Sequence, residues 1–251
     1  MKRVGETQIN NFGSKMIITK YRSRNDIDIY FPEYSWTAEH AIYQNFKNGH
    51  IKCPYERRVY NIGYLGEGPY SSRENGKATK LYNTWKNMLK RCYDPKLHEK
   101  EPTYMGCTVC DEWLNFQNFA LWYDENYYEI PGQRMALDKD ILIKGNKIYS
   151  HDACCFTPQN INTLFTKRDN DRGDCPVGVY YDKQSKKYKA KCSLGTGRQK
   201  HLGYYDTSEE AFNVYKEFKE AYIKKVANDY IEDIPFNLYQ AMINYEVDID
   251  D

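Results

Sequence analysis

Hydrophobic positions recur along this chain with two different periods, and the changes of period divide it into elements. Lys15 to Tyr21 is apolar and rich in β-branched side chains. Asp26 to Phe31 alternates, with Ile27, Ile29 and Phe31 on one face and Asp26, Asp28 and Tyr30 on the other. The intervening Ser23-Arg24-Asn25 predicts that the two stretches form a hairpin. Glu39 to Phe46 fits either one helical turn or an edge strand, ended by Gly49 and Pro54. From Lys80 the period becomes helical, placing Leu81, Trp85, Met88 and Cys92 on one face until Pro95. A second helix, from about Glu112 to Tyr123, carries Trp113, Phe116, Phe119 and Tyr123 as its stripe. Aromatics at this spacing predict a core.

Period two returns at Gly178–Tyr181, Lys187–Ser193 and Lys200–Tyr204, three short strands, with Gly195-Thr196-Gly197 joining the last two. Thr207-Ser208-Glu209-Glu210 reads as a capping box, in which the Thr hydroxyl and the Glu carboxylate satisfy two free backbone N–H groups at a helix start. The helix behind it carries Ala211, Phe212, Tyr215, Phe218, Tyr222, Val226 and Tyr230 on one stripe. Alternation in the middle strand turns Tyr188, Ala190 and Cys192 toward that helix and Lys187, Lys189 and Lys191 away from it. Gly63 to Gly76 reads as a turn-rich linker, since the scattered glycines lack the Gly-Lys-Ser/Thr of a phosphate loop. Residues 163–175 read as a polar connector.

Between these regions Leu137–Asn162 mixes strand, turn and helix signals. Asp138 and Asp140 flank Lys139, a β-branched run follows at Ile141 and Ile143, then Gly145-Asn146, Ile148-Tyr149, and a Pro-led helix start with Asn160 and Asn162. Two strands around Gly-Asn followed by a helix predict a ββα unit. Such a unit brings a first-strand carboxylate and a helix amide together, oxygen donors that suit a hard divalent cation such as Mg²⁺ or Mn²⁺.

Composition places the chain among ordered globular proteins: 251 residues, 41% hydrophobic, 16% aromatic, 25 tyrosines. The net charge of +1 argues against a uniformly basic nucleic-acid binder. It conceals an asymmetry, however, because residues 171–203 hold 8 basic and 3 acidic side chains, and residues 204–251 hold 4 and 12. No apolar run approaches the roughly 18 residues that a membrane span needs, and no signal-peptide core follows Met1. A cytoplasmic location is expected, with the eight cysteines as reduced thiols or metal ligands.

The Leu137–Asn162 segment resembles the ββα-metal core of HNH endonucleases, in the phage- and intron-encoded branch that carries an AP2-type DNA-binding tail. Tyr82, Trp85, Met88, Arg91 and Cys92 resemble that branch's W-x-x-M-x-x-R-C helix, and Tyr104–Trp113 with Phe116 and Phe119 is similar to its Y…G…V-C-x-x-W…F…F segment. Residues 176–230 resemble an AP2 domain, most closely at Val179 and Leu202–Thr207 followed by Glu-Glu-Ala. Together the resemblance spans roughly residues 80 to 230. It implies an α+β chain of three parts: a β-rich module (1–75), an HNH-like domain with flanking helices (76–170), and an AP2-like three-stranded sheet on one long helix with an acidic tail (171–251).

The resemblance further implies a DNA endonuclease of phage or mobile-element origin. Asp138 and Asn162 would hold Mg²⁺ or Mn²⁺, and double-stranded DNA would be the partner. Two positions depart from the family: Lys139 stands where it places a general-base His, and Ala153 stands where it places the orienting Asn. His151 and Asp140 are the remaining candidate bases, although His151 reads more readily as a turn residue. The alternative function is a catalytically degenerate DNA-binding protein acting in regulation or on the host. Lys187, Lys189, Lys191, Arg198, Lys200 and His201 would face DNA; a face rich in Lys rather than Arg predicts modest sequence specificity, and the alternative is a solvated lysine edge. Cys92, Cys107, Cys110 and Cys154 either hold a structural Zn²⁺ or are buried free thiols.

Overall fold

In the computed structural model, which describes residues 3–166, 175–195 and 197–249, the N-terminal period-two stretches form an antiparallel meander. It consists of β1 (Thr7–Ile9), β2 (Lys15–Ser23), β3 (Asp26–Phe31) and β4 (Trp36–Ala41), in that order. The expected hairpin is β2–β3, with Ile18 opposite Ile29 and Ile17 opposite Tyr30. Glu39–Phe46 takes both of its alternatives in turn, ending β4 and then forming α1 (Tyr43–Lys47). Met16, Ile18, Ile27, Ile29, Phe31, Phe46 and Cys53 make the core of this sheet. Asp28 departs from simple alternation. It is buried because Arg22 grips both of its carboxylate oxygens at 2.8 Å and Lys20 adds a contact at 3.2 Å.

The glycine-rich stretch before the first long helix is pinned rather than loose. Gln117 accepts from the N–H of Tyr70 at 3.0 Å and donates to the carbonyls of Leu65 and Tyr70. A small hairpin of β5 (Arg73–Glu74) and β6 (Lys77–Ala78) follows. Helix α2 (Lys80–Tyr93) starts where Thr79 accepts from the N–H of Tyr82, and it buries Trp85, Met88, Leu89 and Cys92. Pro95 does not simply end it: Asp94 caps a further turn, α3 (Pro95–His98), with Pro at the first position, where its missing N–H does no harm. After β7 (Thr108–Val109) the expected second helix is two pieces, α4 (Asp111–Leu114) and α5 (Phe116–Asn126). Asn115 breaks the run by adopting an extended conformation and capping α5 through its side chain, which accepts from the N–H of Gln117. Trp85 donates its indole N–H to the carbonyl of Trp113 at 2.7 Å, tying α2 to α4.

Backbone contacts divide the chain into two compact units, Met1–Glu125 and Asn126–Asp251. In the second, β8 (Met135–Asp138) pairs antiparallel with β10 (Cys155–Pro158), Asp138 standing opposite Cys155, and α6 (Gln159–Asn162) follows directly. This corrects the expected hairpin around Gly145-Asn146. Ile141 and Ile143 lie in a bent loop, and β9 is only Ile148–Tyr149. Asn146 organises the loop instead, donating to the carbonyls of Lys139 and Ile148 and accepting from the N–H of Ile148.

The three C-terminal strands are β11 (Val179–Asp182), β12 (Lys187–Ser193) and β13 (Gln199–Tyr205), followed by α7 (Ser208–Asp229) and α8 (Phe236–Ile243). The capping box of Thr207 and Glu210 is present in both directions. The N-terminal half of α7 packs Ala211, Phe212 and Tyr215 on Val179, Ala190 and Cys192. Its C-terminal half sends Ile223 and Ala227 into a different core, with Ile141, Cys155, Ile161 and Leu164 from the β8–α6 region and Leu238 and Met242 from α8. One helix therefore belongs to two cores. Most of the expected connector, residues 167–174, lies outside the described residues, as does Thr196. Among the described residues the fold is mixed α+β with several small sheets and no closed barrel.

Candidate functional site

The outer face of the β11–β13 sheet is set by register. Tyr180, Lys189 and Tyr204 stand in one row across the three strands, and Lys191 stands opposite His201 in the next. A bulge beside Ala190 and Lys191 lets Leu202 as well as Tyr205 pack toward α7 while His201 stays on the outer face. The lysines of this face meet rings. Lys189 Nζ lies 5.4 Å from the centre of the Tyr204 ring, Lys191 Nζ lies 5.8 Å from that of Tyr180, and His201 meets Tyr204 edge to face at 5.0 Å. Lys187 has a carboxylate partner, Asp206, at 3.0 Å.

Of the other cations expected on this surface, Arg198 is exposed in the β12–β13 loop. Lys200 is paired in register with the buried Cys192, which puts it on the opposite face of the sheet from Lys189 and Lys191. Tyr180 and Tyr204 were not singled out by sequence reasoning. Alternation places Tyr180 outward, but it would turn Tyr204 the same way as Leu202; only the register, with its bulge, puts Tyr204 on the outer face beside Lys189.

The second constellation centres on Asp138, the last residue of β8. Its Oδ1 accepts from the backbone N–H groups of Asp140 and Ile141, both at 2.8 Å, which fixes the carboxylate at the mouth of the loop. Burial, and then the nearby Asp140 carboxylate, push the acid up to about 6, against the pull of those two N–H donors. Lys139 is buried, with Nζ 3.0 Å from Asp140 and 3.1 Å from the carbonyl of Asn146 and the Tyr149 ring 6.0 Å away. At the position where the resemblance leads one to expect a histidine, this chain has a lysine folded inward. Ala153 is buried too. His151 sits exposed on a turn with Asp152 3.3 Å away. Asn162 ends α6, half-buried, and α6 lies against both β8 and β10. Its neighbour Asn160 donates to the hydroxyl of Tyr230 at 2.6 Å, a packing role.

One cluster of ligand-type side chains in the described residues has its atoms within 4.8 Å of one another: Asp26, Asp28 and His40 in the N-terminal sheet. Arg22 and Lys20 already occupy Asp28, and Arg22 also binds Asp26 at 2.8 Å. The guanidinium beside Asp28 holds its carboxyl well below the usual range. That chemistry is an ion-pair network with its cations built in. None of the eight cysteines is in a disulfide; Cys92 and Cys107 are buried and Cys110 half-exposed in the first unit, and Cys154 is buried in the second.

Comparison with family models, with curated proteins and with solved structures found no match to this chain.

Proposed function

We propose that the protein binds duplex DNA by laying the outer face of β11–β13 into the major groove. The observation that carries this reading is the outer face of the sheet: Lys189 and Lys191 flanked by Tyr180, Tyr204 and His201. A β-ribbon fits a groove about 12 Å wide, and cations at its borders neutralise phosphates on either side. The tyrosine rings hold the lysine stems in place, which lowers the entropy lost when the ammonium groups dock. Ammonium groups give affinity without bidentate base reading, so binding tolerates many sequences. Fluorescence anisotropy with a short duplex tests the proposal: log affinity should fall linearly with log salt concentration, by a slope of about 0.9 for each phosphate engaged. Affinity that is absent, or indifferent to salt, sinks it.

A second reading, cleavage of the bound DNA, is favoured by Asp138. A carboxylate held out of water beside Asp140, with no lysine, arginine or histidine paired to it among the described residues, suits a divalent cation. Oxygen donors from Asp138 and Asn162 fit Mg²⁺ or Mn²⁺, which when bound supplies Lewis acidity toward a phosphate oxygen. On the protein's side, Asp140 is the exposed carboxylate placed to take a proton from water, with Lys139 as its counter-ion. The inward-folded Lys139 and the buried Ala153 favour the binding reading without cleavage. Supercoiled plasmid incubated with Mn²⁺ decides between them. Nicked or linear product from the wild type and none from Asp138→Ala supports the nuclease; intact plasmid in both leaves DNA binding alone.

A further inference from the structure

A buried lysine on α7 has no use in either reading. Lys219 lies one turn beyond Tyr215, on the face that packs against the sheet, and is only 4% exposed. Among the described residues nothing donates to, accepts from or ion-pairs with its Nζ. Burial pushes the amine below the usual lysine range, and the neighbouring Cys192 thiol acts weakly the other way. Its Nζ is not among the described side-chain atoms that are sealed from solvent without a hydrogen bond, so the buried stem carries the amine to an opening.

The side chain lines a cleft of about 240 Å³ between the β12–β13 end of the sheet, α7 and the end of α6. Thr166, Ser193 and Gln199 bring two hydroxyls and an amide to the same cleft, and Lys191 brings a second cation. No acidic residue among the described residues lines it. Two close backbone approaches shape the walls. Gly178, at φ +77°, lies so near the Tyr215 ring that a Cβ there would sit 2.2 Å from it, and a Cβ on Gly195 would sit 2.4 Å from the carbonyl oxygen of Asn160. Thr163 fastens that second approach, its hydroxyl 2.7 Å from the Gly195 carbonyl.

We propose that this cleft binds a phosphate group, held between the ammonium groups of Lys219 and Lys191 with Ser193, Thr166 and Gln199 donating to its oxygens. Two cations, with no carboxylate among the described lining residues, suit a multiply charged oxyanion better than a single carboxylate. The volume lies below the roughly 300–1,000 Å³ of a drug-sized pocket, so a phosphate with a small substituent fits and a large cofactor does not. The phosphate has two possible sources, a small phosphorylated molecule or the DNA backbone, since Lys191 also borders the outer sheet face.

Calorimetric titration of the full chain with inorganic phosphate, against chloride at matched ionic strength, tests the site. Saturable binding specific to phosphate is expected, weakened about tenfold or more in Lys219→Met and about threefold in Ser193→Ala. A parallel titration with short duplex identifies the source. Lys219→Met weakens duplex binding about tenfold if the backbone phosphate occupies the cleft, and leaves it unchanged if a small phosphorylated molecule does. No phosphate-specific heat in the wild type, or equal affinity in wild type and folded Lys219→Met, overturns the proposal. Should Lys219→Met fail to fold, undiminished phosphate affinity in both Ser193→Ala and Lys191→Gln overturns it equally. The phosphate arm does not require DNA binding, so the two readings fail separately.

Discussion

The N-terminal and C-terminal sheets both carry cations and treat them in opposite ways. In the first, Arg22 and Lys20 converge on Asp28, and Arg22 also reaches Asp26. The charges cancel within the sheet and stabilise it. In the second, Lys189 and Lys191 lie over tyrosine rings, and neither forms an ion pair among the described residues, Asp182 acting on Lys189 only as a neighbouring charge. Two sheets of similar build therefore differ in what they offer a polyanion. A count of lysines and arginines would not separate them; the partner of each cation does.

The largest effect should come from reversing the two ring-held lysines together with Lys187, whose partner is Asp206. Lys187, Lys189 and Lys191 changed together to Glu are expected to weaken duplex binding about a hundredfold or more and to flatten its salt dependence, with the unfolding midpoint nearly unchanged. Lys20→Glu with Arg22→Glu should do the reverse, lowering stability and sparing DNA affinity. If both sets weaken DNA binding alike, the contrast between the sheets fails.

Next in size, Asp28→Asn should destabilise by about 2 kcal/mol in urea unfolding, the range for a buried charge-assisted hydrogen bond. Its pH dependence has a definite sign. Asp28 is held below its unfolded value of about 3.9, so its contribution is present above that pH and is lost as the pH falls further.

Asp138 supplies the opposite sign. Its folded value of about 6 lies above the unfolded one, so the folded state binds the extra proton in the interval between them. Stability from this group is greatest below pH 4 and declines as the pH rises to 6. Asp138→Asn keeps an oxygen for the N–H groups of Asp140 and Ile141, and should stabilise by about 1 kcal/mol at pH 7 and by nothing at pH 4. Destabilisation at pH 7 would show that the carboxylate has a cationic partner in solution.

The smallest effect concerns the rings. Tyr204→Ala should reduce duplex affinity about threefold, and Tyr204→Phe should not, because the ring face and not the hydroxyl holds Lys189. Equal losses in both would assign the effect to the hydroxyl.

What could be read from sequence followed the range of the forces involved. β12 spans Lys187–Ser193 as periodicity predicts, and the Thr207–Glu210 box starts α7, because both signals are local. The hairpin at β2–β3 was legible for the same reason. The pairing of β8 with β10 was not, since it joins residues separated by a long loop and no turn motif announces it. Asn115 stopped a helix whose apolar stripe continues past it, a side-chain capping bond overriding periodicity. At the candidate sites, residue types were legible but partners were not. Lys139 offered no sign that it would fold inward onto Asp140, and Lys200 no sign that a register would put it on the other face. Lys219 stands four residues after Tyr215 and three before Tyr222, on a stripe the periodicity marks as core. A charge on an otherwise apolar stripe is a signal that the amino-acid sequence carries by itself.

Helix α7 has a consequence for where the protein would act along a duplex. Its 22 residues extend about 33 Å at 1.5 Å per residue, close to the roughly 34 Å of one turn of B-DNA. Its first half is seated on the sheet and its second half on the region that holds Asp138 and Asn162. On the proposed binding mode it is a ruler: a stiff rod sets the interval between the groove that is gripped and the phosphates that Asp138 can reach. Lengthening the rod by one helical turn would displace that interval along the DNA and rotate it about the axis, leaving the grip itself untouched.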